Sequence, residues 1–185
     1  MKIIFKLINQ SCYILKTVLL KMRYGNSIRI DGVFRKRNDT QIILDDKSKI
    51  FIGNAVTFQR NNSLSSVLGG ELHIGSRCHF NRNCIIICQK EIIIKDDVIF
   101  GPGVTIYDHD HIFSYHGILP GFKLGSVVIE KGCWIGANVT ILRNTHIGEC
   151  CVIGAGTIIK GDIPSHSIVT SNRELNIIPI ENRLI

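Results

Sequence analysis

Residues 129–164 read IEKGCWIGANVTILRNTHIGECCVIGAGTIIKGDIP. Every sixth residue is an isoleucine: Ile129, Ile135, Ile141, Ile147, Ile153 and Ile159. The residue after the aliphatic is repeatedly glycine (Gly136, Gly148, Gly154), and the fifth position is small or β-branched: Cys133, Val139, Thr145, Cys151, Thr157 and Ile163. A period of six matches neither the 3.6-residue helix nor the two-residue alternation of a simple strand. It matches hexapeptides in which three short strands close one triangular coil, a parallel β-helix. The aliphatic then points inward on every face. The next residue is expected at the turn, where glycine tolerates positive φ, and the small fifth residue fills the tight interior.

The ladder extends backwards. The frame starts at Ile52-Gly53 and runs through Phe58 and Leu64. It slips at Gly69-Gly70, resumes at Ile74-Gly75, Phe80 and Ile86, slips by two near Gln89-Lys90, and continues through Ile94, Phe100 and Ile106. The slips fall about one coil apart, which assigns them to corners, where a prism tolerates insertion. Ile28-Arg-Ile30 and Ile42-Ile-Leu44, separated by Arg35, Lys36 and Arg37, read as one or two degenerate first coils. Residues 112–126, IFSYHGILPGFKLGS, have no six-residue frame and form an excursion. A long loop within a repeat array points to function. The chain thus divides into a helix over 1–24, a β-helix over 25–165 and a last strand with a tail over 166–185.

Composition agrees with one all-β domain carrying an appendage. The 185 residues are 45% hydrophobic with a mean hydropathy of +0.20, and only 7% are aromatic, as suits a narrow prism with little room for rings. The net charge of +7 is unevenly spread. Residues 1–30 hold Lys2, Lys6, Lys16, Lys21, Arg23 and Arg29 and no acid. A basic end suggests an acidic surface, with membrane ahead of nucleic acid. Within it, Ile4, Ile8, Leu15, Val18, Leu19 and Met22 share the broad face of an amphipathic helix. Lys6, Asn9, Gln10 and Lys16 interrupt it too often for a bilayer span, and no small-residue cleavage site of a signal peptide follows. Two readings of the helix stand: packing on the β-helix, or contact with the inner membrane surface. The seven cysteines include no CxxC pair, and Cys78, Cys84, Cys133 and Cys151 occupy the small inward position. They read as core fillers in a reducing cytoplasm.

The chemistry-bearing segment is Tyr107-Asp108-His109-Asp110-His111, at the root of the excursion. Histidine takes a proton near neutral pH, and a neighbouring carboxylate holds its tautomer. Residues two apart share a strand face, so His109 and His111 are both candidate bases. The coil count puts His111 at a corner, stacked over His146, and favours it slightly. Asp108, Asp110, Tyr115, His116 and Lys123 are candidate substrate contacts. The lone Trp134, assigned to an outward corner, would cover a flat ligand or a neighbouring subunit.

The run Val128-Ile-Glu-Lys-Gly-Cys-Trp-Ile-Gly-Ala-Asn-Val139, with Val152-Ile-Gly-Ala-Gly-Thr157, resembles the hexapeptide-repeat acyltransferases. Within them it is similar to the galactoside, maltose and capsule or lipopolysaccharide O-acetyltransferases. The resemblance covers roughly residues 50–165. It implies a left-handed β-helix, a homotrimer with sites between neighbouring prisms, and acetyl-CoA along the later coils. Trp134, Gly136 and Ala137, then Gly154, Ala155 and Lys160, match its cofactor-lining segments. The family's catalytic histidine matches His111 without a gap and His109 after a two-residue shift. Two segments depart from its pattern: Lys160-Gly161 before Asp162-Ile163-Pro164, and Ser171-Asn172-Arg173-Glu174 after it. Lys160 and Arg173 remain candidates for phosphate charge.

The resulting expectation is a cytoplasmic O-acetyltransferase, without a metal, that moves acetyl from acetyl-CoA directly to a sugar hydroxyl of a cell-surface polysaccharide or its precursor. The competing readings are N-acetylation of a nucleotide-linked amino sugar, a zinc enzyme of the gamma-carbonic-anhydrase type using His111 and His116, and a non-catalytic scaffold.

Overall fold

The computed structural model describes residues 2–32, 34–36 and 39–171, with side chains from Tyr13 onward. An N-terminal helix, Lys2–Tyr24, precedes a left-handed parallel β-helix of about six turns. Three stacks of short strands form its faces. Face one runs from Ile28–Ile30 through Lys49–Ile52, Glu71–Ile74, Glu91–Ile94, Val127–Ile129 and the second half of Thr140–Ile147 to the second half of Ile158–Ile163. Face two runs from Phe34–Lys36 to Ile168–Val169. Face three runs from Gln41–Leu44 through Ser63–Ser66, Ile85–Cys88, Thr105–Tyr107 and the first half of Thr140–Ile147 to the first half of Ile158–Ile163. Each strand bonds to its equivalent one turn along, so backbone donors and acceptors are satisfied between coils.

The inward aliphatics make one continuous core. Ile52, Leu64, Ile74, Ile86, Ile94, Ile106, Ile129, Ile135, Ile141, Ile147 and Ile153 are all buried. Burying each such side chain stabilises by about 1.5–3 kcal/mol relative to exposure. Although the prism has little room for rings, Phe34 and the frame residues Phe58, Phe80 and Phe100 are fully buried on face two. Phe58, Phe80 and Phe100 occupy equivalent positions in successive coils, so the coil spacing itself stacks them nearly parallel, Phe58 on Phe80 at 4.3 Å and Phe80 on Phe100 at 4.4 Å. Phe34, in register with Val56, meets Phe58 edge-on at 5.6 Å. The four cysteines assigned inward are buried, and each thiol reaches a carbonyl of the next coil: Cys78 to Lys95 at 3.1 Å, Cys84 to Gly101 at 3.3 Å, Cys133 to Gly148 at 3.1 Å and Cys151 to Pro164 at 3.1 Å.

The turn chemistry differs from the expectation. Positive φ occurs three residues after the inward aliphatic, at Asn138 (55°), Asn144 (58°) and Cys150 (55°) in the ladder, and at Arg77, Asn83 and Asp97 before it. The glycine directly after the aliphatic is needed for space: a Cβ at Gly136 would lie 2.7 Å from the Ala155 nitrogen one coil on.

The insertions share one corner. From face one to two and from two to three, equivalent residues are always six apart, as in Ile74, Phe80 and Ile86 or Ile94, Phe100 and Ile106. From face three to the next face one, the spacing is 10 residues from Leu64 to Ile74, 8 from Ile86 to Ile94, 23 from Ile106 to Ile129 and 6 from Ile141 to Ile147. The excursion is therefore the longest of several insertions stacked at this loop corner. It is an antiparallel hairpin, His109–Ser114 with Gly117–Leu124, and begins at His109 rather than at 112. Ile28–Ile30, Phe34–Lys36 and Gln41–Leu44 make the first coil, in register with the next. Of the C-terminal segment, Ile168–Val169 pairs with Val152–Ile153; Arg173, Ile177, Ile178 and Ile180 lie outside the described residues.

Candidate functional site

Face two carries an open groove of roughly 470 Å³. Trp134, Gly136, Ala137, Gly154 and Ala155, all assigned to cofactor contact from the sequence, line it together with His79, Asn81, Ile99 and Pro102. Trp134 stands on the flat of the face, not at a corner: it pairs with Ile99 on one side and Val152 on the other and is 57% exposed. Its two neighbours inward are Cys133 and Ile135, so the alternation of the strand drives the indole out. The glycines keep the adjoining corner low. This groove corner, between faces two and three, admits no insertion. Lys160 is not part of it. It follows Ile159, the partner of Ile141, onto the loop corner and is exposed there.

The loop corner holds the DHDH segment. Asp108, expected to meet substrate, is fully buried and anchors the hairpin instead. Its carboxylate accepts the backbone N–H groups of Gln89 (2.9 Å), Lys90 (2.7 Å) and Glu91 (2.9 Å) from the turn of the preceding coil. Those donors offset the burial of its charge. Its carbonyl accepts the N–H of Gly125 at 2.8 Å, which closes the hairpin root. Behind it lies Cys88, buried, whose thiol is pushed well above its ordinary range by burial and then by this carboxylate.

His109 completes the arrangement. Its Nδ1 lies 3.0 Å from Asp108 Oδ1. A carboxylate already taking three N–H donors can only accept, so Nδ1 carries the hydrogen and the neutral ring presents its lone pair at Nε2. No described residue hydrogen-bonds Nε2. The ring is largely buried, with 12% of the side chain exposed, and sits edge-to-face against Phe122 (5.3 Å) and Tyr107 (6.2 Å). His111 also meets the Phe122 ring, tilted at 4.9 Å, and is exposed, with no acid partner among the described residues. It lies in the hairpin, so it does not stack over His146, which pairs with Val128 on face one. The one-coil count missed this because the chain leaves the prism at 108.

Asp110 is also committed within the chain. Arg143, from the next coil, donates through Nε to its Oδ2 and pins the hairpin to the ladder. Arg143 was missed in the sequence; its signal was a single arginine at the loop-corner position of an otherwise regular hexad. Tyr115 and His116 lie at the hairpin tip, Tyr115 fully exposed. Lys123 pairs with Asp110 in register and lies over the Phe113 ring at 5.7 Å. Among the described residues, no three His, Cys, Asp or Glu side chains gather as a metal would require, and His111 and His116 are separated along one hairpin strand and its turn.

The site therefore comes in two parts. An imidazole held by a buried acid stands at the loop corner, and an apolar groove floored by glycine lies on face two. In a triangular coil, that corner is opposite that face.

Comparison with known proteins places these features in a context. The family model described as bacterial transferase hexapeptide (six repeats) matches residues 126–161. A putative acetyltransferase of Schizosaccharomyces pombe is 31% identical over 115 residues, 62% of this chain and 56% of its own length. The galactoside O-acetyltransferase of Lactococcus lactis is 34% identical over 101 residues, 54% of this chain and 49% of its own. The chain thus spans about half the length of these curated relatives. Among solved structures, a variant of the N-acyltransferase AntD from Bacillus cereus, in complex with dTDP-4-amino-4,6-dideoxyglucose and coenzyme A, shares the fold. Its TM-score is 0.66 at 22% identity, covering 86% of this chain and 87% of that one.

Proposed function

We propose that the chain, similar to the hexapeptide-repeat transferases over residues 126–161, moves an acetyl group from acetyl-CoA to a sugar hydroxyl, in a cell-surface polysaccharide or its precursor. The observation that carries this reading is the His109–Asp108 pair at the root of the one long hairpin. Asp108 fixes the tautomer, so Nε2 of His109 takes the proton of the acceptor hydroxyl. The oxygen attacks the thioester carbonyl, the C–S bond breaks, and the imidazolium returns the proton to the departing CoA thiolate. A positioned base of this kind contributes about 10²–10⁴-fold. No acyl-enzyme is required. The cofactor is assigned to the groove, with Trp134 beside it and Gly136, Ala137, Gly154 and Ala155 beneath it. The acceptor is assigned to the hairpin, with His111, Tyr115, His116 and Lys123 available to it. Acetyl-CoA as donor makes the cytoplasm the site of reaction.

Base and groove stand on opposite sides of one prism, so a complete site takes two copies, the base of one chain facing the groove of its neighbour. A homotrimer closes three such sites by symmetry. The hairpin supports this: Phe113, Ile118, Leu119 and Leu124 are exposed on it in the single chain, an apolar arm suited to a neighbouring prism.

The test is thiol release from acetyl-CoA with a panel of glycans, with amino sugars and nucleotide-linked amino sugars as controls. Thiol release with a hydroxyl acceptor and an alkali-labile acetyl ester on the product are expected. Release only with amino acceptors, giving an alkali-stable amide, would transfer the assignment to N-acetylation. Absence of release with every acceptor would remove the enzymatic reading.

A further inference from the structure

The N-terminal helix has a second face that the β-helix does not use. On one side Leu20 and Tyr24 pack against the core, and the Tyr24 hydroxyl donates to the Ile42 carbonyl at 2.8 Å. That seats the helix on the first coil. At 100° per residue, Ile14, Leu15, Val18, Leu19 and Met22 fall on the opposite side. They are 56%, 60%, 46%, 54% and 77% exposed. The same geometry puts Lys21 at one margin of this stripe and Arg23 at the other, and both are exposed. Arg23 lies over the Tyr24 ring at 5.2 Å. Ile14, Val18 and Lys21 also border a cleft shared with Gly32 and Phe34 of the first coil, whereas Leu15, Leu19 and Met22 lie outside it, so the outer part of the stripe is not needed for packing on the core.

We infer that this face rests on an anionic lipid bilayer, with the apolar stripe in the boundary between headgroups and acyl chains and with Lys21 and Arg23 at the phosphates. Charge selects this occupant. Residues 1–30 contain six basic residues and no acid. A second copy of the helix laid on the stripe would bring like-charged margins together with no acid on either helix to offset them, whereas lipid phosphate supplies the missing sign. The helix lies on the surface: among the described residues, no helix is long and apolar enough to cross a membrane. The inference rests on the helix alone and is independent of the acetyl-transfer reading.

The test is co-sedimentation of the whole chain with vesicles of phosphatidylcholine, with or without phosphatidylglycerol. Binding to the anionic vesicles is expected, weakening as salt is raised. Lys21→Gln/Arg23→Gln should lower partitioning on the order of tenfold at low salt, and Leu15→Gln/Leu19→Gln/Met22→Gln should abolish it. Circular dichroism should be unchanged in both, since all five side chains are exposed and only Lys21 borders the cleft at Phe34. Absent binding, or equal binding to both vesicle types, overturns the inference. So does a triple variant whose sedimentation-velocity mass differs from that of the parent, because the face would then belong to a second copy. If the triple variant does not fold, the charge variant decides alone: unchanged partitioning overturns the inference.

Discussion

Two corners of the same prism are built under opposite rules. At the groove corner, every coil keeps a six-residue step, and glycine stands where the next coil's backbone comes within a Cβ's reach, as Gly101 does against Ala137 and Gly136 against Ala155. At the loop corner, successive coils insert different numbers of residues, and the widest insertion becomes the hairpin. A uniform step leaves an uninterrupted groove along several coils. A variable step lets the fold carry a new side chain, or a new arm, without disturbing the stack. The common part of the proposed reaction falls on the uniform corner and the acceptor-specific part on the variable one.

The comparison is broken most sharply at the base. If the loop corner supplies it through His109, His109→Ala should lower acetyl transfer by about 10²–10⁴-fold, while His111→Ala, which removes a ring without an acid partner, costs less than about tenfold. Initial rates of thiol release at saturating acetyl-CoA measure both. The reverse ranking would move the base two residues along the hairpin. Asp108→Asn should follow closely, because its amide can donate to Nδ1 and reverse the tautomer. Its effect is expected on kcat more than on KM. It also leaves one fewer acceptor for the three backbone N–H groups of the 89–91 turn. A stability loss of about 1–3 kcal/mol should accompany it, measured by denaturant unfolding.

The next expected effect sharpens the contrast in tolerance. At the groove corner, Gly136→Ala sets a methyl 2.7 Å from the Ala155 nitrogen, and backbone of the next coil cannot swing away as a side chain can. We expect a loss of about 1–3 kcal/mol and a lower melting temperature. At the loop corner, Tyr115→Ser removes a fully exposed ring at the hairpin tip and should change stability by less than about 0.5 kcal/mol. Equal losses at the two sites would contradict the division into a fixed and a free corner.

How far the sequence could be read follows the same division. The fixed regions were legible because strand pairing imposes a period that any reader can count. Ile129 to Ile159 gave the fold, and the small fifth positions gave the buried cysteines. The groove residues from Trp134 to Ala155 were named from their motif and do lie together, although Trp134 was put on a corner that the strand alternation denies it. The loop corner was less legible because its side chains answer to neighbours far along the chain. Asp108 looked like a surface acid until the 89–91 turn, about one coil earlier, proved to surround it. Asp110 looked free until Arg143, 33 residues later, met it. His111 was preferred to His109 because counting assumed an unbroken coil at the one place where the chain leaves it. The positive-φ position was misplaced by two residues for a related reason. Glycine after the aliphatic was taken as a conformational signal, when its cause is the approach of another coil that no local pattern displays.

The smallest expected effect concerns the interior both corners enclose. Burial pushes the thiols of Cys78, Cys84 and Cys133 up to about 11, whereas in the unfolded chain they ionise near the ordinary 9.0. The folded state thus holds protons that the unfolded state releases. Between about pH 9 and pH 11 the unfolded chain binds fewer protons, so stability falls as pH rises; below about pH 9 these groups contribute no slope. Each thiol should account for a loss on the order of 1 kcal/mol across that window, read from denaturant midpoints at several pH values. Cys133→Ala should make the decline shallower, at the cost of the contact between its thiol and the Gly148 carbonyl. A decline of equal steepness in the parent and in Cys133→Ala would show that the alkaline loss does not originate in the buried thiols.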